Sequence, residues 1–155
     1  MKHYVSQKEF DSLLFRIIDT TYNHKDLFNF VVGIKNGGLN VSIPLSKELK
    51  IPHQSIHISF YNGEEKMNAP IISLDDLPKI LSLKDKKGGT FLWVDDIVDS
   101  GSTLRWFIDY TGLEMDKDFY VATLHWCKEN SPDLQPNFYV ELKNKENWIV
   151  YPWEV

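Results

Sequence analysis

Three aspartates and a loop of small residues follow one apolar run, and this grouping is the most chemically informative feature of the chain. Asp95, Asp96 and Asp99 come directly after FLWV at 91–94, and the loop at 100–103 reads SGST. Neighbouring carboxylates present oxygen atoms that can bind a divalent cation or accept hydrogen bonds from sugar hydroxyls. Free N–H groups in a loop that opens a helix can hold a phosphate group. We therefore expect a ligand that carries both hydroxyls and phosphate.

The apolar pattern predicts the elements that position these residues. The run at 91–94 is unbroken, as in a parallel strand covered on both faces, and its polar successors are expected where the sheet stops. Apolar residues from 104 to 108 recur at helical spacing, so a helix is predicted to begin in the loop at 100–103. Gly101 permits a positive φ and the close approach of a ligand. The dipole of the helix would favour an anion there.

A second strand, glycine turn and helix occur earlier in the chain. The apolar run FVVGI at 30–34 is followed by a turn and then by apolar residues at helical spacing. The turn consists of Lys35, Asn36, Gly37 and Gly38. Two glycines allow the backbone to close around a phosphate group, and the lysine supplies positive charge. Taken alone, the same turn is also compatible with an ordinary connection between a strand and a helix.

The segment at 91–103 resembles the phosphoribosyl diphosphate (PRPP) signature of the type I phosphoribosyltransferases. The resemblance implies that Asp95 and Asp96 contact the ribose hydroxyls of PRPP and help to bind Mg²⁺. It implies that Asp99 lies beside the incoming base and acts as the catalytic acid or base. The residues implied to bind the 5′-phosphate are Asp99, Ser100, Gly101, Ser102 and Thr103.

The glycine turn resembles the pyrophosphate loop of the same family. GIKNGGL at 33–39 is similar to the family pattern GI-x-R-GG-L, which implies that Lys35, Asn36, Gly37 and Gly38 bind pyrophosphate. Asn36 stands where arginine is common, and this removes a donor that can bind phosphate through two hydrogen bonds. Weaker pyrophosphate binding is the expected consequence.

A tryptophan-rich segment, WIVYPWE at 148–154, resembles the base-binding segment of bacterial xanthine/guanine and related 6-oxopurine phosphoribosyltransferases. The resemblance implies that Trp148 stacks on the purine, which suits a flat indole. It implies that the backbone of Ile149 reads the ring edge, with Glu154 as a further candidate. The alternative is that these aromatic residues pack in the core or at a subunit contact.

A lysine and a loop complete the site that the resemblance implies. Lys128 follows a predicted strand at 120–127 and is implied to donate to the 6-oxo group of the base, so adenine is expected to be a poor substrate. A mobile loop at 62–70, with Lys66 as its charged residue, is implied to exclude water from the reacting centre. The alternative for Lys128 is an ordinary surface lysine, and the alternative for the segment at 62–70 is an ordinary hairpin or loop.

The remaining pattern predicts an α/β fold. Ser6 and Glu9 form a capping box that begins a first helix. A strand is predicted at 56–60, a helix at 75–83 and a late strand at 138–142. Alternating strands and helices predict a mostly parallel, twisted sheet flanked by helices, and the resemblance adds a small C-terminal base-binding hood.

Length and composition narrow the function classes. At 155 residues and 43% hydrophobic content, residues 1–155 are expected to form a single domain. A net charge of −5 argues against nucleic acid as the main partner. The sequence has no signal-peptide core and no apolar run of membrane length, and Cys127 is its one cysteine. We therefore expect a cytoplasmic protein without a membrane partner.

The resemblance implies a Mg²⁺-dependent enzyme that transfers phosphoribosyl from PRPP to a 6-oxopurine, and a homodimer or homotetramer. A non-catalytic protein of the same fold that binds PRPP or a nucleotide for regulation is one alternative. A magnesium-dependent hydrolase or lyase that uses the three aspartates is another, and within the leading class a pyrimidine acceptor stays open. The spacing DDxxD also occurs in helical prenyl synthases, but there it lies on a long helix and does not follow a short apolar strand.

Overall fold

Strands and helices alternate along the chain, as the sequence predicted. The computed structural model describes residues 1–62, 65–73, 76–87 and 89–155. The strands in these residues are β1 (Lys2–Tyr4), β2 (Phe30–Lys35), β3 (His53–Asn62), β4 (Glu65–Ile72), β5 (Phe91–Val94), β6 (Ile97–Val98), β7 (Phe119–Trp126), β8 (Phe138–Leu142) and β9 (Trp148–Val150). The helices are α1 (Gln7–Tyr22), α2 (Leu39–Leu49), α3 (Leu77–Lys87) and α4 (Ser102–Thr111), with 3₁₀ turns at Lys25–Leu27 and Pro152–Glu154.

The main sheet is mostly parallel, with strand order β4-β3-β2-β5-β7-β8. Only the β3–β4 pair is antiparallel among the pairings of the described residues. Alternate residues of the central strands enter two buried clusters: Phe30 and Trp93 belong to one, Val31 and Leu92 to the other. Both faces of these strands are therefore covered, which is why their sequences are continuously apolar.

The acid pair interrupts a strand, so the expectation that the sheet stops at Asp95 is wrong. Val94 pairs with Ala122 and Ile97 pairs with His125. Each of the second two residues lies three positions further along its own segment, so β6 continues β5 in the same register. The backbone stays bonded across the gap: Asp95 N donates to Ala122 O at 3.2 Å, and Leu124 N donates to Asp96 O at 3.0 Å. No sign of this continuation is visible in the sequence, because aspartate is uncommon in β-strands and two of them stand at 95 and 96.

The predicted loop at 62–70 is largely a strand. From residue 65 onward it belongs to β4, and Lys66 pairs with Tyr61 of β3; Gly63 and Glu64 lie outside the described residues. β4 is an edge strand that is mostly exposed, so it lacks the apolar alternation that marks a half-buried strand, and Pro70 is tolerated at an edge.

The predicted helix at 75–83 is displaced in the structure. α3 spans Leu77–Lys87, and residue 75 lies outside the described residues. Pro78 is its second residue, where the missing N–H does no harm. The last turn is polar, and the apolar pattern therefore gave no sign of it. By contrast, the capping box of Ser6 and Glu9 at the start of α1 is confirmed.

A short parallel pair, β1–β9, lies apart from the main sheet. Lys2 pairs with Trp148 and Tyr4 with Val150. We call this pair together with residues 151–154 the hood. No helix in the part of the chain described here has the length and apolar content needed to cross a membrane.

Candidate active site

A cavity of about 270 Å³ lies at the carboxyl ends of β2, β5 and β6, where parallel sheets usually bind ligands. It brings together twelve of the residues that the sequence singled out. They are Lys35, Gly37, Asp95, Asp96, Asp99, Ser100, Gly101, Ser102, Thr103, Trp148, Ile149 and Glu154. Asn36, Gly38, Lys66 and Lys128 do not line this cavity.

The loop before α4 has the geometry that an anion site requires. Gly101 is the N-cap residue with φ of 80°, so the predicted positive φ is confirmed. The hydroxyls of Ser100 and Ser102 lie 2.9 Å apart, and Ser102 and Thr103 are partly exposed to the cavity. Backbone N–H groups and hydroxyls at the start of a helix can together hold a phosphate group.

The acid pair lies in surroundings that disfavour its negative charge. Asp96 N donates to Asp95 Oδ1 at 2.8 Å. Burial, followed by repulsion from Asp96, raises the pKa of Asp95 well above its ordinary value. Burial also raises the pKa of Asp96 to about 6. Both carboxylates would therefore be stabilised by a ligand that brings hydroxyl donors or a cation.

The glycine turn is packed against the acid pair. A Cβ added at Gly37 would lie 2.3 Å from Asp96 Oδ2, and one at Gly38 would lie 2.5 Å from Ile34 O. The peptide bond between Lys35 and Asn36 is cis. Lys35 Nζ lies 3.7 Å from Asp76 Oδ2, so part of the positive charge expected for a ligand is shared with a carboxylate of the protein.

Asp99 has two side-chain partners that the sequence reasoning missed. Asn130 Nδ2 donates to Asp99 Oδ1 at 2.6 Å, and Lys143 Nζ donates to Asp99 Oδ2 at 2.7 Å. Lys143 is only 6% exposed. One signal was available, because Lys143 directly follows the strand predicted at 138–142, at an end where ligands gather in parallel sheets.

A second cavity, of about 470 Å³, adjoins the first and shares Asp99, Ser100 and Trp148 with it. Its remaining lining residues are mostly polar or charged: Lys66, Asn130, Lys143, Lys145, Glu146 and Asn147. Lys66 of β4 thus faces the site from the hairpin. Lys128 is exposed and lines neither of these two cavities.

The hood is tied to the acid pair by Tyr151, which the sequence reasoning also missed. Its hydroxyl donates to Asp96 O at 3.1 Å and lies 2.7 Å from His125 Nδ1. Burial lowers the pKa of His125 to about 4. Tyr151 N donates to Glu154 Oε2 at 2.7 Å, and the Tyr151 ring stacks on Trp153 at 4.8 Å. Tyr151 therefore links the hood to the acid pair.

The donor set fits a magnesium ion that is shared with a substrate. No group of three or more histidine, cysteine or acidic side chains with metal-binding geometry occurs among the described residues. Mg²⁺ commonly binds through one or two carboxylates together with substrate phosphates and waters. Asp95 and Asp96 are two carboxylates of this kind, beside a loop suited to phosphate.

Comparison with known proteins finds one matching family and several similar proteins. The phosphoribosyl transferase domain family matches residues 3–155. The chain is 28% identical over 131 residues to a xanthine-guanine phosphoribosyltransferase of Nitratidesulfovibrio vulgaris, covering 84% of this chain and 71% of the relative. It is 30% identical over 128 residues to the protein of that name from Cereibacter sphaeroides, covering 81% of this chain and 68% of the relative. A purine phosphoribosyltransferase structure from Pyrococcus horikoshii Ot3 is similar with a TM-score of 0.72 and 26% identity, covering 99% of this chain and 95% of that one.

Proposed function

The chain belongs to the phosphoribosyl transferase domain family, and on this basis we propose that it transfers the phosphoribosyl group of PRPP to N9 of a 6-oxopurine. Purine phosphoribosyltransferases are among the relatives that it resembles. The single observation that carries the proposal is one cavity in which the acid pair, the anion loop, the glycine turn and Trp148 meet. These four groups correspond to the ribose, the 5′-phosphate, the pyrophosphate and the base of the two substrates.

The residues of the first cavity would bind PRPP at three points. Asp95 and Asp96 accept hydrogen bonds from the 2′ and 3′ hydroxyls of the ribose. The loop at 100–103 holds the 5′-phosphate, and the turn at 35–38 holds the pyrophosphate. Binding at three points fixes the C1 atom relative to the base, and such positioning can contribute several kcal/mol to catalysis, about 7–11 kcal/mol in favourable cases.

The transfer then needs one bond to break, one to form and one proton to leave. The C1–O bond breaks and pyrophosphate departs with its electron pair, while a lone pair of N9 forms the new bond to C1. The purine loses a ring proton, and Asp99 accepts it at N7 as a general base. A base that is stacked on Trp148 and held at its edge by the backbone of Ile149 is oriented for attack.

The proposal includes a divalent cation. Bound Mg²⁺ supplies charge neutralisation for the leaving pyrophosphate, and Asp95 and Asp96 are the residues of this chain that would hold it. Water must be kept from the reacting centre, and we assign this role to β4 with Lys66. We place this reaction in the cytoplasm, in a single domain that forms a homodimer or homotetramer.

The test is incubation of the protein with PRPP, Mg²⁺ and each of guanine, xanthine, hypoxanthine, adenine and uracil, with the nucleotide product identified by mass. We expect the monophosphates of one or more 6-oxopurines and an equal amount of pyrophosphate. Product from none of the bases would contradict the proposal. Product from uracil alone would identify a pyrimidine acceptor.

A second candidate function is supported by the pyrophosphate turn. Asn36 replaces the common arginine, and Lys35 is paired with Asp76, so the turn has less free positive charge than its resemblance implies. A protein that binds PRPP or a nucleotide for regulation would tolerate this loss. It would bind PRPP in calorimetry and release no pyrophosphate with any base of the panel.

A further inference from the structure

The hood lies against residues that the proposed function assigns to both substrates. Trp148, at the start of β9, lines the cavity in which the acceptor base is proposed to stack. Tyr151 directly follows β9, and its hydroxyl donates to Asp96 O at 3.1 Å. Trp153 Nε1 lies 3.2 Å from the position that a Cβ added at Gly37 would take. The hood therefore connects the acceptor side of the cavity with the acid pair and the glycine turn.

The Tyr151 side chain is buried and is held from several sides. Its hydroxyl contacts Asp96 O and also lies 2.7 Å from Nδ1 of His125, a histidine that is itself only 3% exposed. A phenol can donate one hydrogen bond and accept another, so both contacts are made together. The ring stacks on Trp153, with centroids 4.8 Å apart. Any displacement of the hood would break these contacts, so the position of the hood depends on the position of the Asp96 backbone.

The charge of Asp96 also acts on the hood. Burial and repulsion from Glu154, a residue of the hood, raise the pKa of Asp96 to about 6. Tyr151 N donates to Glu154 Oε2 at 2.7 Å, so this repulsion acts on the same turn that carries the Tyr151 side chain. When PRPP binds with Mg²⁺, the charge of Asp96 is balanced and the repulsion is removed. We therefore expect the hood to pack more tightly on the acid pair when PRPP is bound.

We propose that Tyr151 is a positioning residue that couples the two substrate sites, so that PRPP bound at the acid pair strengthens binding of the acceptor base at the hood. The inference rests on the proposed transfer function and adds a residue that links its two sites. Coupling of this kind is reciprocal, because each ligand must strengthen the binding of the other by the same factor. Typical coupling factors are about 5–150-fold.

The test measures binding without turnover. The acceptor probe is 9-deazaguanine, in which carbon replaces N9, so that no bond from N9 to C1 can form. Isothermal titration calorimetry gives the Kd of this probe with and without saturating PRPP and Mg²⁺, and the ratio of the two values is the coupling factor. We expect a factor of about 10 or more in the wild type and below about 3 in Y151F. The Kd for PRPP without a base should stay within about threefold of the wild-type value.

The ratio separates coupling from a purely structural role. If the hood were only loosened, both Kd values for 9-deazaguanine would rise together and their ratio would not change. H125L removes the second partner of the Tyr151 hydroxyl and should lower the factor, whereas H125N keeps an N–H donor on the γ-carbon and should retain more of the coupling. Y110F alters a tyrosine that is 58% exposed and should match the wild type. An unchanged factor in Y151F, or a factor near one in the wild type, would overturn the proposal.

Amide hydrogen exchange of the wild type is an independent measurement, and it decides the question if Y151F does not fold or if the probe does not bind. PRPP and Mg²⁺ without a base should slow exchange about fivefold or more both at 95–103 and in the hood at 148–151. If only 95–103 is slowed, PRPP binds but the hood does not respond, and the inference is wrong while the proposed PRPP site stands. If neither segment is slowed, the proposed function fails together with the inference. Slowing of both segments in a protein that transfers no base would support the coupling and refute the transfer reaction.

Discussion

The carboxylate of Asp96 lies directly against the Cα of Gly37, so that a Cβ added at Gly37 would come within 2.3 Å of Asp96 Oδ2. The G37A variant must therefore turn this carboxylate away from its position in the cavity. Because only the end of a side chain has to move, we expect PRPP to bind about tenfold more weakly, about 1.4 kcal/mol, with little change in thermal stability. Isothermal titration calorimetry with PRPP and Mg²⁺ measures the affinity for PRPP, and thermal unfolding measures the stability.

The adjacent glycine provides a matched comparison. A Cβ at Gly38 would lie 2.5 Å from Ile34 O and 2.9 Å from Val94 O, and backbone atoms of two strands cannot move aside easily. G38A should therefore lower the free energy of unfolding by about 1–3 kcal/mol. If G37A binds PRPP like the wild type, the contact with Asp96 does not matter for the ligand.

Asp99 is expected to be needed for turnover and not for PRPP binding. D99N preserves the shape of the side chain but removes the base, so kcat with hypoxanthine or guanine should fall about 10²–10⁴-fold. PRPP affinity should stay near that of the wild type, because the loop at 100–103 is intact. Turnover near the wild-type rate would show that the assignment of Asp99 is wrong.

Tyr151 is expected to stabilise the fold through its hydroxyl group. Y151F removes the donor to Asp96 O and the partner of His125 Nδ1. A buried ring nitrogen without a partner costs about 1–3 kcal/mol, and the free energy of unfolding in urea should decrease by this amount. Y110F alters a tyrosine that is 58% exposed and serves as the control. Equal stability of Y151F and the wild type would contradict the argument.

The acid pair should make the unliganded protein less stable as the pH rises. Burial raises the pKa of Asp96 to about 6 and that of Asp95 well above its ordinary value of 3.8, so near pH 5 the folded chain binds more protons than the unfolded chain. Their stabilising contribution is fully present below pH 3.8 and is lost as the pH rises through about 6.

The double variant D95N/D96N tests this expectation, because asparagine resembles the neutral acid at every pH. Between pH 4.5 and 7.5 its stability relative to the wild type should increase by about 1–3 kcal/mol. Urea unfolding at several pH values gives the difference directly. A difference that does not change with pH would mean that the pair is not destabilised by its charge.

Restoring the arginine common in the family should strengthen PRPP binding. Asn36 is exposed, so N36R introduces no buried charge, and a guanidinium can bind phosphate oxygens through two hydrogen bonds. We expect KM for PRPP to fall by about 3–10-fold. N36Q lengthens the side chain without the charge and should match the wild type. An unchanged KM in N36R would show that residue 36 does not limit PRPP binding.

The two strand–turn–helix segments of the site were predictable because each of their parts is local in sequence. A run of apolar residues, a turn and a helix start are contiguous at 30–39 and again at 91–104, and the structure has strands, turns and helices there. The capping box of Ser6 and Glu9 also indicated the start of α1. These features depend on a few adjacent residues, which a single sequence displays in full.

The features that the sequence did not predict depend on contacts between residues that are distant in sequence. β1 and β6 are three and two residues long, too short for a periodic pattern, and they exist because another strand pairs with them. β4 is exposed and therefore carries no apolar alternation. Lys143 resembles any surface lysine until the sheet brings it to Asp99, 44 positions away.

The pairing of β1 with β9 fixes the order in which the site can be assembled during protein synthesis. Residues 2–4 are synthesised before residues 148–150, and they have no strand to pair with until that later segment has been made. The segments proposed to bind phosphate and ribose, at 35–38 and 95–103, are already available by then. A nascent chain therefore contains the residues proposed to hold the sugar donor before it can form the hood that is proposed to contact the acceptor.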